Sequence, residues 1–205
     1  MAARVGGVIL AAGKSSRLGR PKQLLNLGGE PLLRHTVRNA ANSNLDHVVL
    51  VLGARAAEID AEIGYLGQRI VVNPLYDTGQ STSLRLGLES IDHDAEAVLF
   101  LLGDQPTVTS GLINELLRQF EATSAPIVQA TYANGPANPV LFARSLFSEL
   151  MAIEGDEGAR SVIVRHRRDT AFAQFPDIPI PQDVDTLEDY RALLDSWDTD
   201  LAESQ

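Results

Sequence analysis

Cysteine is absent from all 205 residues. Disulfides, thiolate nucleophiles and cysteine-based metal sites are excluded with it. Long apolar runs are also missing: no stretch approaches the roughly 18 consecutive apolar residues of a membrane span. Positive charge is scarce, with 17 Lys and Arg against 27 Asp and Glu and a formal net charge of −10. Sequence-independent nucleic-acid binding works by neutralising phosphates, so an acidic chain fits it poorly. Neither nucleic acid nor membrane is an expected partner. The N-terminus has Arg4 before a short apolar stretch that meets Lys14 after Gly13, which is too short and too quickly charged for a signal peptide. The expectation is a cytoplasmic protein. His35, His47, His93 and His166 lack metal-motif spacing, so structural or surface roles are expected for them.

What the chain does contain is a regular alternation. Val5–Ala11, His47–Leu52, Arg69–Val72 and Ala97–Leu102 are apolar runs of strand length. Between and after them, helices are expected from Leu32, at Ala56–Ile63, at Ser83–Ile91 and at Ser110–Glu121. Strands that are apolar throughout are buried on both faces, which implies a mainly parallel sheet with helices on both sides. Further strands are expected at Pro126–Thr131, Asn138–Phe142 and Thr170–Phe175, the first two joined by a Gly-Pro turn. Shorter helices are expected near Arg144–Met151 and Glu157–Arg165. A last helix, Thr186–Trp197, would be anchored by Trp197. The expected organisation is one domain over residues 1–197 and a frayed tail over residues 198–205.

Three polar segments follow strands: Ala11–Lys22, Asn73–Ser83 and Gly103–Pro106. In open α/β sheets ligands sit outside the carboxyl ends of the strands, so these segments should converge on one edge. The first reads Leu10-Ala11-Ala12-Gly13-Lys14-Ser15-Ser16-Arg17-Leu18-Gly19-Arg20-Pro21-Lys22. Small residues admit a ligand close to the backbone, and successive N–H groups can form an anion nest. Arg17 can fork onto phosphate oxygens and Lys22 can act as a point charge. The segment is neither a Walker A loop nor a GxGxxG motif, and a basic surface loop is the plain alternative. Asp104, in Gly103-Asp104-Gln105-Pro106, can meet a hard cation at the sheet edge or cap the next turn. Asp185 or Thr186 can cap the last helix, and Asp185 is equally a candidate second carboxylate. Ser81 or Ser83 can cap the helix that follows Gly79. The run Arg165-His166-Arg167-Arg168 reads as a solvated face, with contact to an anion as the alternative.

Taken in order, these segments resemble the nucleotidyltransferase family of the molybdenum cofactor guanylyl- and cytidylyltransferases. Leu10 to Lys22 matches its LAAGxSxRxGxxK signature. Gly79-Gln80-Ser81-Thr82-Ser83-Leu84 resembles GxSxSL, Gly103–Pro106 resembles GDQP, Gly155–Arg160 resembles GDxGAR and Asp183–Tyr190 resembles DxDTxEDY. Ala12, in place of a glycine, resembles the cytidylyl (MocA-like) branch. Ala137-Asn138-Pro139 departs from the Gly-His-Pro of that branch, which bears on the acceptor.

The resemblance implies an α/β, three-layer Rossmann-like nucleotidyltransferase fold with a mainly parallel central sheet. It implies an enzyme that transfers CMP from CTP to the phosphate of molybdenum-bearing molybdopterin and releases pyrophosphate. Mg²⁺, or Mn²⁺ in its place, would be held by Asp104 and Asp185. Arg17, Lys22 and Asp104 would be catalytic. Leu10, Ala11, Ala12, Gly13, Ser15, Ser16, Arg17, Lys22, Gly79, Gln80, Ser81, Ser83 and Gly103 would bind the nucleotide. Implied partners are a nucleoside triphosphate, a molybdopterin-type phosphorylated acceptor, and a molybdoenzyme or maturation chaperone. Two alternatives stand: GTP or another acceptor, and a carrier that holds the cofactor without chemistry.

Overall fold

The structure is a computed structural model that describes residues 2–203, with backbone alone over residues 198–203. Its frame is a seven-stranded sheet. In chain order the elements are β1 (Val5–Ala11), β2 (Asn26–Leu27), β3 (Glu30–Pro31), α1 (Leu32–Ala41), β4 (His47–Leu52), α2 (Ala56–Ile63) and β5 (Arg69–Val72). Then come α3 (Gln80–Glu89), β6 (Ala97–Leu102), α4 (Ser110–Thr123), β7 (Ile127–Tyr132) and β8 (Gly135–Ala143). The chain closes with α5 (Phe147–Met151), α6 (Arg160–Arg165), β9 (Thr170–Phe175) and α7 (Leu187–Glu203).

The strand order is β5-β4-β1-β6-β8-β7-β9. β4 and β6 flank β1 in parallel pairing, β5 adds to β4 in parallel, β8 is antiparallel to both neighbours, and β9 runs parallel to β7. The sheet is therefore mainly parallel. Alternate side chains feed two helical layers, as the two-residue period of a strand requires. Val5, Ile9 and Ala11 pack with Leu33, Ile59 and Leu116 of α1, α2 and α4. Val8, Val49 and Phe100 pack with Leu84, Leu150 and Val162 of α3, α5 and α6. The three-layer expectation holds.

A third, smaller cluster positions the site. Leu25, Leu27, Leu32 and Val184 are buried together, with Leu18, Tyr190 and Trp197 against them. Tyr190 also donates its hydroxyl hydrogen bond to the Asn26 carbonyl. Trp197 meets His35 edge-on with ring centroids 4.8 Å apart. The start of α7 is thereby clamped to the hairpin that follows the first loop.

Several boundaries differ from expectation. The β2–β3 hairpin was not anticipated, although Gly28-Gly29, with φ of 59° and 90°, is a hairpin signature. The β7–β8 turn is Ala133–Asn134, because Gly135 already pairs with Tyr132; Gly135-Pro136 lies inside β8. α3 begins at Gln80 rather than Ser83, and α6 begins at Arg160 rather than Glu157. The backbone of α7 continues to Glu203. Side chains from residue 198 on, and residues 204 and 205 altogether, lie outside the described residues, and the expected frayed tail with them.

Candidate nucleotide and metal site

β1 ends in a loop because its ladder partners run out. The Leu10 carbonyl accepts from the Gly103 amide at 3.0 Å and the Ala12 carbonyl from the Ala54 amide at 3.3 Å. Gln23 then takes over. Buried at 2% exposure, it donates from Nε2 to the Ala11 carbonyl at 2.8 Å and the Gly13 carbonyl at 3.3 Å. Four successive carbonyls are thus held by protein donors. Peptide planarity turns the N–H partner of each such bond the opposite way. Ser15, at φ 51°, folds the loop back and accepts the Lys22 amide on Oγ at 3.0 Å.

Gly13 shows what this bracing protects. A Cβ built there meets nothing within 4 Å, so the chain leaves space at that point. Gly103 is the opposite case: its Cβ would lie 2.8 Å from Ala11 Cβ, so glycine lets the ends of β1 and β6 close together. Between them opens a cleft of about 350 Å³.

Lys22 sits at the head of the cleft. Its Nζ lies 2.5 Å from Asp104 Oδ2 and 2.8 Å from Asp185 Oδ1. Burial alone would lower the lysine pKa, but the two carboxylates outweigh it and the net shift is upward. Arg17 is exposed and reaches Asp185 only at 3.7 Å, a distance and setting in which an ion pair adds little stability. Asp183 stands close by. Burial, then the charge of Asp104, push its carboxyl above the usual range, although Gln105 donates to it at 2.9 Å.

The capping alternatives resolve in different directions. Asp104 is buried and pairs with Lys22, which favours the site reading. At α7, Thr186 Oγ1 accepts the Asp189 amide at 3.2 Å, and Asp189 Oδ2 accepts the Thr186 amide at 2.7 Å. This reciprocal pair is a capping box, and it leaves Asp185 to face Lys22. Hydrogen bonds received by Asp189 Oδ2, led by that from the Thr186 hydroxyl at 2.8 Å and joined by those from the Thr186 and Asp185 amides, hold the Asp189 carboxyl below its ordinary pKa. Ser81 and Ser83 do not cap α3. Its first amides are satisfied from a distance: Gln80 donates to Asp156 Oδ1 and Ser81 to the Gly155 carbonyl, each at 3.0 Å. Ser83 Oγ accepts from Asn73 Nδ2 at 2.9 Å.

The predicted site residues divide accordingly. Leu10, Ala11, Ala12, Gly13, Lys22, Gln80, Ser83, Gly103, Asp104 and Asp185 line the cleft. Ser15, Ser16 and Arg17 line a second recess of about 230 Å³ on its outer side, shared with Gly13, Lys22 and Asp185. Gly79 and Ser81 line neither; Ser81 is buried, with its amide spent on Gly155. Gln23, Tyr76, Asp156 and Asp183 also line the cleft and were missed as site residues. A glutamine beside the key lysine was the available signal for Gln23, and the GDxGAR resemblance was the one for Asp156. Of the basic run, Arg165 and His166 are drawn to Glu149, away from the cleft.

The donor set suits a hard cation. Two carboxylates converge on one positively charged point; among the described residues no group of three or more His, Asp or Glu is arranged to hold a metal ion by itself. Magnesium binds in this way, with one or two carboxylates while phosphates and water complete its shell.

Gln23→Leu tests the brace. It should destabilise the fold by about 1–3 kcal/mol, the cost of leaving buried carbonyls unpaired, and weaken nucleotide binding. Denaturant unfolding and a nucleotide titration check both. Unchanged nucleotide affinity would contradict the role.

A crevice outside the carboxyl ends of parallel strands, where β4 and β6 flank β1 on opposite sides, defines the open α/β class, whose ligands bind at such a point. Within that class the chain belongs to the MobA-like NTP transferase family, a nucleotidyltransferase family, which it matches over residues 7–170. It is similar to Rv0371c of Mycobacterium tuberculosis H37Rv: 33% identity, TM-score 0.86, covering 95% of this chain and 100% of that one. A manganese complex of Rv0371c aligns at 31% identity and TM-score 0.82, covering 95% and 100%. Nicotine blue oxidoreductase of Paenarthrobacter nicotinovorans is 29% identical over 197 residues, 93% of this chain and 96% of its own. A probable molybdenum cofactor guanylyltransferase of Thermococcus sibiricus is 26% identical over 156 residues, 74% and 75%. The CMP-5′-(3-aminopropyl)phosphonate synthase of Streptomyces rubellomurinus is 34% identical over 146 residues, 66% of this chain and 22% of its own length. Among the described residues no helix is long and apolar enough to cross a membrane.

Proposed function

We propose that the protein transfers CMP from CTP to the phosphate of a molybdopterin-type acceptor, releasing pyrophosphate in the cytosol. The observation that carries the reading is Lys22 set between Asp104 and Asp185 at the head of a cleft whose wall leaves Gly13 open. The recess at Ser15, Ser16 and Arg17 takes the β- and γ-phosphates, the leaving group. Lys22 meets the α-phosphate, and Gln80 and Ser83 face the nucleoside. Ala12 and the similarity to the CMP-5′-(3-aminopropyl)phosphonate synthase support the base, and the similarity to the molybdenum cofactor guanylyltransferase supports the acceptor class.

An acceptor phosphate is already anionic near neutral pH, so no general base is required. The obstacle is repulsion between two anions, and the remedy is positioning with charge neutralisation. A divalent cation held by Asp104 and Asp185 would supply Lewis-acid neutralisation of the phosphate oxygens. Everything else falls to the chain: the braced loop orients the triphosphate, and Lys22 follows the charge on the reacting phosphate.

The acceptor body has its own space. A cavity of about 300 Å³ adjoins the cleft and shares Leu10, Gln80, Leu102 and Asp183 with it. Phe100, Val140 and Phe142 are among its walls, with Asn138 and Arg160. Arg160→Ala should raise the acceptor KM roughly tenfold, the loss of one charged hydrogen bond, and leave the CTP Kd unchanged. Steady-state kinetics and a CTP titration separate the two. A panel of CTP, GTP, ATP and UTP tests the base. CTP should be consumed preferentially; preference for GTP would overturn the cytidylyl reading, and tight binding with no pyrophosphate release would favour the carrier.

A further inference from the structure

The position of Lys22 has a consequence beyond gripping phosphate. Its Nζ bridges Asp104 Oδ2 and Asp185 Oδ1 at 2.5 and 2.8 Å. Those are the two carboxylates suited to a divalent cation. An ion bound at about 2.1 Å from these same two oxygens would take the gap that the ammonium fills, and the two positive charges repel each other there. The lysine backbone is fixed, because its amide donates to Ser15 Oγ at 3.0 Å. The side chain has an exit, because Lys22 lines the cleft on one side and the outer recess with Ser15, Ser16 and Arg17 on the other. Asp185 is half exposed toward that recess.

We propose that Lys22 is the resident stand-in for the metal. In the nucleotide-free protein its ammonium holds Asp104 and Asp185 together; the α-phosphate of an incoming nucleotide draws it off the two carboxylates, on the side where the recess adjoins the cleft, and opens the gap. Divalent cation and nucleotide therefore bind with positive coupling, and coupling between sites is reciprocal. This rests on the reading of the cleft as a nucleotide and metal site. Lys22 thereby keeps two acidic groups close without a bound ion, and it defers metal entry until phosphate is there to complete the shell.

The prediction is a gain of affinity from removing a charge. Mn²⁺ alone is titrated into the full chain, and free Mn²⁺ is followed by electron paramagnetic resonance. Without nucleotide, Lys22→Met should bind Mn²⁺ about tenfold tighter than wild type or more, within the usual range of such couplings. Lys22→Arg keeps the charge and should show no gain. Asp104→Asn added to Lys22→Met should abolish it. Mn²⁺ should also raise the Tm of Lys22→Met more than that of wild type; if Lys22→Met does not fold, Lys22→Gln carries the same expectation. Equal Mn²⁺ affinity in wild type and the neutral variants would overturn the inference and leave the site reading standing. Failure of every form to bind Mn²⁺, even with α,β-methylene CTP, would overturn the site reading itself.

Discussion

Asp104→Asn is expected to cost roughly 10²–10³-fold in kcat, about 2.7–4 kcal/mol of barrier, the range for removing one preorganised electrostatic contact. The substitution keeps the side-chain shape and removes the charge. Asp104 is buried at 8% exposure, and its carboxylate faces Lys22, so its loss leaves the lysine with Asp185 alone. It also removes one of the two ligands proposed for the metal. Stability should change less than activity, because Lys22 keeps its ion pair with Asp185 and loss of one carboxylate relieves the repulsion between Asp104 and Asp183. Single-turnover rates of pyrophosphate release, with thermal unfolding on the same sample, check the pair. An active Asp104→Asn would remove the catalytic centre from this cleft.

Gly79→Ala should damage the fold, whereas Gly13→Ala should damage only binding. Gly79 has φ 130°, and a Cβ there would lie 2.6 Å from the Gly155 carbonyl oxygen and 2.8 Å from its carbon. Both are backbone atoms, and that loop supplies the caps for the Gln80 and Ser81 amides. Strain and clash together should cost about 3 kcal/mol, a fall in Tm of roughly 6–12 °C for a chain of this size. Hydrogen exchange at the Gln80 and Ser81 amides should speed up with it. Gly13→Ala meets no protein atom within 4 Å, so its Tm should hold while its nucleotide affinity falls. Matching losses of stability in both variants would contradict the assignment of open space at Gly13.

This contrast also shows what was legible in the sequence. The central strands were legible because burial on both faces writes itself as an unbroken apolar run, as in Ala97–Leu102 of β6. The convergence of three loops on one edge followed from strand rhythm and parallel pairing. The β2–β3 hairpin escaped because two-residue strands carry no periodicity. The cap of α3 escaped for a different reason. Gln80 takes its acceptor from Asp156, 76 residues away, and no local propensity encodes a distant cap. Asp104, Asp185 and Lys22 could be named from motifs, but their meeting at one point depends on α7 being clamped by Tyr190 and Trp197 to the early hairpin. Gln23 looked like an ordinary polar residue, and only its burial beneath two loop carbonyls reveals its work.

The most direct test of the proposed reaction follows the α-phosphate. Protein, Mg²⁺, molybdopterin and CTP labelled at the α-phosphorus are incubated together, with a parallel sample labelled at the γ-phosphorus. Nucleotidyl transfer predicts that the α-label passes to the acceptor while the γ-label leaves in pyrophosphate. Gamma-label released as inorganic phosphate, or CTP retained intact on the protein, would contradict it.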